Sequence, residues 1–124
     1  MLGFALFGCG RIGRVHAAHI AAQPRARLVT CYDVVREAAA SVAASHDASA
    51  SLSVDAALDD PEVRAVLIAS STDTHVDLLT RAARAGKAVL CEKPIDLDIA
   101  RVDACWADIG KLAPTVMLGF NRRF

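Results

Sequence analysis

Residues 2–33 read LGFALFGCGRIGRVHAAHIAAQPRARLVTCYD and contain the clearest indication of the fold. An apolar run at 2–7 is long enough for one buried strand, and the glycine-rich turn GCGRIG follows it. Residues 11–22 have a helical pattern, and a second apolar run at 26–32 leads to Asp33. A strand, a glycine turn, a helix and a second strand that ends in an acid are the parts that bind a dinucleotide.

Each glycine of the turn has its own physical role. Gly8 lets the chain turn sharply, because glycine tolerates a positive φ. A side chain at Gly10 would fill the space in which a diphosphate approaches the backbone, and Gly13 lets the helix pack closely on the strands. The helix begins near Arg11, so its free N–H groups and positive dipole end face the phosphates. The residues expected to hold the diphosphate are Gly8, Cys9, Gly10, Arg11, Ile12 and Gly13.

Asp33 lies 20 residues beyond Gly13, at the end of the second predicted strand. A carboxylate there accepts hydrogen bonds from both adenosine ribose hydroxyls and repels a 2′-phosphate, which favours NAD over NADP. Arg36 argues the other way, since an arginine can accommodate that phosphate. The alternative interpretation of the stretch is a tight strand-to-helix connection that binds nothing. The agreement of strand, helix and acid favours the dinucleotide.

The composition describes a single domain without a strong charge bias. The 124 residues suffice for one hydrophobic core, and 14 basic side chains balance 14 acidic ones. This balance predicts neither a nucleic-acid partner nor attraction to an anionic membrane. The chain has no apolar run of transmembrane length, and its first residues run directly into a strand, which leaves no room for a signal peptide. We therefore expect a cytoplasmic protein.

The cysteines and histidines do not form a metal-binding pattern. None of the four cysteines belongs to a CxxC pair, and three lie in or beside apolar runs, where a free cysteine behaves as a small hydrophobe. They are Cys9, Cys31, Cys91 and Cys105. His16 and His19 are three residues apart, but no third ligand lies near them in the sequence. We expect reduced thiols and no metal site.

The rest of the chain alternates strands and helices. Further strands are predicted at 50–52, 63–70, 87–91 and 115–120. Further helices are predicted at 35–45, 53–58, 74–85 and 98–109. The alternation and the short connections predict an α/β fold: a doubly wound, parallel, six-stranded sheet of Rossmann type with strand order 3-2-1-4-5-6. The ligand crevice then lies at the carboxyl ends of strands one and four, and residues 1–124 form one domain.

Two groups of side chains carry local expectations. Ile12, Val15 and Ile20 are expected to face the sheet from the first helix, because they follow a helical period. Thr74 and Asp77 are spaced like a capping box at the start of the fourth helix. Both predictions depend only on spacing along the chain.

Five short motifs span nearly the whole chain. They are residues 8–13 with His16, 60–63, 72–75, 92–94 and 119–124. In these motifs and their order the chain resembles the Gfo/Idh/MocA family of nicotinamide-dependent sugar and polyol oxidoreductases. Within the family, residues 91–98 and 119–124 are most similar to the inositol 2-dehydrogenase branch. The resemblance implies NAD as the cofactor and a cyclic polyol or sugar, myo-inositol first, as the substrate.

The resemblance assigns chemistry to the Glu-Lys-Pro triplet at 92–94. It implies that Lys93 lies beside the nicotinamide and hydrogen-bonds the hydroxyl that loses its proton while hydride leaves the carbon. Pro94 is expected to set the turn through a cis Lys93–Pro94 bond. From its position in the sequence alone, the triplet at 92–94 could equally be an exposed turn after a strand, with no catalytic role.

The resemblance implies further contacts at the crevice. Cofactor contacts are implied for Ser70, Ser71, Thr72, His75, Glu92, Lys93, Pro94 and Asn121, and substrate contacts for Lys93 and Arg122. His75 could equally be a helix-end histidine, and Arg122 or Arg123 could equally be solvated. The family usually has proline where this chain has Ser71, which puts the rigidity of that loop in question.

The resemblance also implies a second, larger α/β domain that supplies the substrate pocket, further catalytic residues and the contacts of a homo-oligomer. That domain is expected outside these 124 residues, so the chain alone is expected to hold NAD weakly without turning over a polyol. A stand-alone NAD(H)-sensing module and a non-catalytic interaction domain are the alternatives.

Overall fold

One parallel sheet of six strands forms the centre of the computed structural model, which describes residues 1–123. The strands are β1 (Leu2–Phe7), β2 (Ala26–Tyr32), β3 (Ser49–Ala50), β4 (Ala65–Ile68), β5 (Ala88–Cys91) and β6 (Val116–Leu118). They lie in the order β3-β2-β1-β4-β5-β6, and every neighbouring pair is parallel. The predicted doubly wound Rossmann fold and its strand order are therefore confirmed.

Five helices connect the strands. They are α1 (Arg11–Ala22), α2 (Arg36–Ser45), α3 (Val54–Asp59), α4 (His75–Arg84) and α5 (Ile99–Ile109). Single turns of 3-10 helix lie at Thr72–Thr74, Gly110–Leu112 and Asn121–Arg123. Within the described part of the chain, no helix has the length and apolar character needed to cross a membrane. Phe124, which ends the motif at 119–124, lies outside the described residues.

The sheet separates two hydrophobic clusters, because successive residues of a strand point to opposite faces. Leu6 and Leu67 belong to the cluster covered by α1 and α2, whereas Phe7 and Ile68 belong to the cluster covered by α3, α4 and α5. All four residues of β4 are buried, as expected for a parallel strand with helices on both faces. Trp106 packs from α5 against the second cluster.

Several predicted strands are shorter in the structure, because the chain turns before its apolar run ends. The predictions at 50–52, 63–70, 87–91 and 115–120 become Ser49–Ala50, Ala65–Ile68, Ala88–Cys91 and Val116–Leu118. The Val63 N–H donates to the Asp60 carbonyl and closes a turn before β4. The Phe120 N–H bonds back to the Leu118 carbonyl after β6. These turn hydrogen bonds replace the ladder bonds that a longer strand would make.

The prediction that Ile12 and Val15 face the sheet is wrong. These residues are 42% and 46% exposed, whereas Ile20 is buried as predicted, together with Gly13 and Ala17. A Cβ at Gly13 would lie 1.9 Å from the Gly8 carbonyl oxygen, so the helix is too close to the turn for a side chain there. The buried face of α1 therefore begins with a glycine, where the helix passes closest to the turn.

The capping box predicted at Thr74 and Asp77 is also wrong. A 3-10 turn precedes α4, and the Thr74 side chain caps no helix N–H. Its hydroxyl donates to the Ser71 carbonyl at 2.7 Å and, with its hydrogen used there, accepts from the Ser70 hydroxyl at 2.7 Å. The Thr74 side chain thus forms hydrogen bonds within the loop after β4 rather than with the helix that follows.

Candidate functional site

The glycine turn between β1 and α1 leaves free space at the tip of the helix. Gly8 has a φ of 95°, and a Cβ there would lie 2.4 Å from the Ser70 nitrogen, so only glycine fits. At Gly10 an added Cβ would meet nothing within 4 Å. No side chain caps the first N–H groups of α1, and its first turn carries no acidic residue. These donors and the helix dipole can hold an anionic diphosphate.

The structure brings Asp33 to this turn, as its spacing in the sequence predicts. Its Oδ2 accepts from the Cys9 N–H at 2.7 Å, and its Oδ1 accepts from the Val35 N–H at 2.8 Å. Two backbone donors therefore fix the orientation of the carboxylate, while each oxygen keeps a further lone pair. Those lone pairs can accept from two neighbouring hydroxyls of a ligand.

A cleft of about 440 Å³ adjoins the turn. Gly10, Asp33, Ser70 and Ser71 line it together with residues of α4. Thr72 begins the 3-10 turn that follows these serines. The cleft lies at the carboxyl ends of the strands and has the size of a small-molecule site. The cleft thus brings together five of the residues expected at the diphosphate and adenosine side, namely Gly8, Gly10, Asp33, Ser70 and Ser71.

Asp77 and Arg81 line the same cleft, and Arg81 also pairs with Asp55 in an ion-pair triad that no local sequence pattern predicts in full. Nη2 of Arg81 lies 2.6 Å from Oδ1 of Asp55 on α3, and Nη1 lies 3.4 Å from Oδ2 of Asp77, one turn earlier on α4. The hydrogen bond to Asp55, and then that to Asp77, raise the pKa of Arg81. The i,i+4 spacing of Asp77 and Arg81 was a sequence signal for the longer contact, whereas nothing local points to Asp55.

The Glu92-Lys93-Pro94 segment begins where β5 ends, next to the end of β4. The Glu92 N–H donates to the Ile68 carbonyl at 2.9 Å, and the Lys93–Pro94 peptide is cis, as expected. Lys93 is exposed and lines a second cleft, of about 510 Å³, with Asn121 and Arg122. The structure thus brings together the residues for which the resemblance implied roles at the reacting end of the cofactor.

A histidine of α1 contacts this segment. Nε2 of His16 lies 2.6 Å from Oε1 of Glu92, and the two side chains are 22% and 24% exposed. A Cβ at Gly119 would lie between 3.1 and 3.3 Å from the atoms of the Glu92 carboxylate, so the chain after β6 borders the same group. His16 and Glu92 are 76 positions apart, which is why no sequence pattern reveals the pair.

His75 lies inside the fold. The residue is 1% exposed, with Nδ1 2.7 Å from the Pro94 carbonyl oxygen and Nε2 3.0 Å from the Ser70 carbonyl oxygen. Both oxygens are acceptors, so a ring nitrogen must carry a hydrogen to bond to either of them. The ring connects the loop after β4 to the loop after β5. A direct contact between His75 and a cofactor stays a prediction. Both ring nitrogens face backbone oxygens of the protein, so neither faces open space.

The four cysteines are free and buried. Burial, and then the charge of Glu92, raise the pKa of the Cys91 thiol to about 12. The pKa of the Cys31 thiol is also raised, first by its hydrogen bond with Cys9 and then by burial. Both thiols are therefore protonated core side chains at neutral pH. Among residues 1–123, no group of three or more His, Cys, Asp or Glu residues is arranged to hold a metal ion.

An open glycine turn at a helix tip, an acid fixed beside it and a crevice at the carboxyl ends of β1 and β4 define a class of protein, the doubly wound dinucleotide-binding domains. The profile of the Gfo/Idh/MocA oxidoreductase family, described as an NAD-binding Rossmann fold, matches residues 2–120. The chain belongs to this family.

Similar proteins narrow the comparison. Inositol 2-dehydrogenase of Rhizobium meliloti (strain 1021) is 46% identical over 98% of this chain, which spans 36% of that protein. The crystal structure of a myo-inositol dehydrogenase from Corynebacterium glutamicum ATCC 13032 has a TM-score of 0.94 and 52% identity, over 100% of this chain and 37% of that one. GenD2 from gentamicin A biosynthesis, in complex with NAD, has a TM-score of 0.89 and 30% identity, over 95% of this chain and 34% of that one.

Proposed function

We propose that this chain is the NAD-binding part of a dehydrogenase that oxidises a secondary alcohol of a cyclic polyol, with myo-inositol as its substrate. The observation that supports NAD binding is the position of the Asp33 carboxylate, which two backbone N–H groups fix beside an open glycine turn. The proposed polyol substrate is supported by the similar proteins, two of which are inositol dehydrogenases.

The proposal takes residues 1–124 as a single cofactor domain. It assigns the substrate domain, and the contacts of a homo-oligomer, to sequence beyond these residues, as the family resemblance implies. A cytoplasmic location is part of the proposal and is supported by the four free cysteines.

NAD is the proposed dinucleotide rather than NADP. The Asp33 carboxylate accepts from the ribose hydroxyls, and a 2′-phosphate would meet its negative charge. Arg81 lines the cleft, but its charge is already compensated by Asp55 and Asp77. Arg36 is exposed at the start of α2. The charge balance around the cleft thus supports NAD, which lacks the 2′-phosphate of NADP.

The diphosphate is proposed to bind the N–H groups at the start of α1. The open space at Gly10 fits that group, because nothing within 4 Å would oppose its approach to the backbone. Ser70 and Ser71 line the cleft on the β4 side and can offer hydroxyl groups to the cofactor.

Lys93 is the proposed catalytic residue. Bound NAD supplies the nicotinamide carbon that accepts hydride. Lys93 holds the reacting hydroxyl by a hydrogen bond and takes part in the removal of its proton, which is general acid–base catalysis. Asn121 and Arg122 line the cleft with Lys93, and we assign them to the cofactor and to the substrate, respectively.

Calorimetric titration of the chain tests the cofactor half. NAD is expected to give heat of binding, and NADP is expected to bind more weakly. Asp33→Ser should narrow the difference between the two cofactors, because it removes the charge that opposes the 2′-phosphate. Asp103→Ser, an exposed acid on α5, is the matched control and should leave the difference unchanged. Equal affinities in the unsubstituted chain, or no heat with either cofactor, would contradict the proposal.

Incubation with NAD and myo-inositol tests the assignment of the substrate domain. The 124-residue chain is expected to produce no NADH, because residues outside it complete the substrate pocket in this proposal. Clear growth of NADH absorbance would contradict that assignment.

A further inference from the structure

We propose that His16 is a positioning residue that acts through Glu92 on the segment containing Lys93, and thereby on the nicotinamide half of the bound dinucleotide. This inference rests on the proposed NAD binding. It adds to the site a residue whose side chain lies on α1, on neither of the loops from which the chemistry was expected.

The contact joins two parts of the site that are distant along the chain. His16 lies in the second turn of α1, the helix whose tip borders the glycine turn, and Glu92 directly precedes Lys93. The 2.6 Å between Nε2 and Oε1 is the length of a short, charge-assisted hydrogen bond. Because an ionised carboxylate only accepts, His16 donates through Nε2.

Gly119 restricts the Glu92 carboxylate further. A Cβ at position 119 would lie 3.1 Å from Oε2 and 3.3 Å from Oε1, closer than most Cβ contacts. The Gly119 N–H donates to the Cys91 carbonyl at 2.8 Å, which fixes this part of the chain beside the end of β5. Glu92 therefore has a defined place between α1 and the chain after β6, as long as His16 holds it.

Loss of the His16 donor would leave a partly buried carboxylate short of a partner. Such a group turns toward water, and the Glu92-Lys93-Pro94 segment would then adopt several arrangements, from which a ligand must select one. The glycine turn and Asp33 keep their own backbone hydrogen bonds, which do not involve His16. The effect should therefore fall on the nicotinamide side of the cofactor alone.

Calorimetric titration with NAD and with ADP, which lacks the nicotinamide riboside, separates the two sides of the site. In His16→Leu, the affinity for NAD is expected to fall about fivefold or more, while the affinity for ADP changes less than about twofold. His16→Gln, whose amide nitrogen can replace Nε2 as the donor, should restore most of the NAD affinity. His19→Leu, on the same helix, is the matched control and should leave both affinities unchanged.

A double substitution tests whether His16 acts through Glu92. In a Glu92→Ala background, His16→Leu should cause no further loss of NAD affinity, since the carboxylate that the histidine holds is already absent. An equal loss of NAD and ADP affinity in His16→Leu would overturn the inference, because His16 would then support the whole domain. Unchanged NAD affinity would overturn it as well. If the unsubstituted chain bound neither ligand, the proposed cofactor function itself would be refuted.

Discussion

At the scale of single residues, glycines that look alike in the sequence have very different surroundings. A Cβ at Gly13 would lie 1.9 Å from the Gly8 carbonyl oxygen, whereas at Gly10 and Gly110 it would meet nothing within 4 Å. Gly13 therefore serves close packing, and Gly10 leaves room above the turn. Substitution by alanine separates these two roles.

Gly13→Ala is expected to lower the free energy of unfolding by about 2 kcal/mol or more, because a backbone atom rather than a flexible side chain blocks the new methyl group. Gly110→Ala is the control, and its free energy of unfolding should change by less than about 1 kcal/mol. Urea unfolding followed by circular dichroism measures both changes. Equal stability of the two variants would mean that α1 lies farther from the turn than described.

Gly10→Ala should fold normally but bind NAD about tenfold more weakly, because its methyl group enters the space proposed for the diphosphate. The backbone at Gly10, with φ of −73°, accepts alanine without strain. Calorimetry gives the affinity, and thermal unfolding checks that the fold is retained. An unchanged affinity would rule out this approach of the phosphates.

At the scale of secondary-structure elements, Asp55 on α3 and Arg81 on α4 connect two helices beside the cleft. Asp55→Asn is expected to lower the free energy of unfolding by less than about 1 kcal/mol, because both side chains remain partly in water. High salt should reduce the effect further, since it screens exposed charges. Thermal unfolding of both forms at low and high salt tests this, and a loss of several kcal/mol would show that the pair is less hydrated than its exposure indicates.

Local patterns were enough to predict the elements around the glycine turn. The bounds of α1 agree with the prediction at 11–22, because a glycine turn before it and Pro24 after it limit the helix on both sides. The position of Asp33 beside the glycine turn could be predicted from its spacing in the sequence, because one helix and one strand connect the turn to it. These signals all lie within a single βαβ unit.

Contacts between distant segments could not be predicted from the sequence. Helical periodicity shows which residues of α1 share a face, but not which face meets the sheet, and Ile12 and Val15 were assigned wrongly for that reason. The pair of His16 and Glu92 depends on the place of β5 beside β4 in the sheet. Nothing in the neighbouring sequence of either residue indicates its partner.

At the scale of the whole molecule, buried thiols make the free energy of unfolding fall as the pH becomes alkaline. The folded state raises the pKa of Cys91 from its usual 9.0 to about 12, so the folded state binds that proton more tightly than the unfolded state. The resulting stability is complete below about pH 9 and is lost as the pH rises toward 12. The largest slope from one such thiol is about 1.4 kcal/mol per pH unit.

Cys91→Ala should therefore lose stability less steeply between pH 9 and 12 than the original chain does. Urea unfolding at a series of pH values measures the two slopes, and only the slopes are compared, because the substitution also removes packing. Identical slopes would mean that Cys91 titrates alike in the folded and unfolded states.

The ring of His75 has a mechanical consequence for the crevice. Since it fills the space between the Ser70 and Pro94 carbonyl oxygens, the loops after β4 and β5 cannot separate without losing one of these contacts. The two loops therefore keep a fixed spacing, and that spacing sets the width of this side of the crevice.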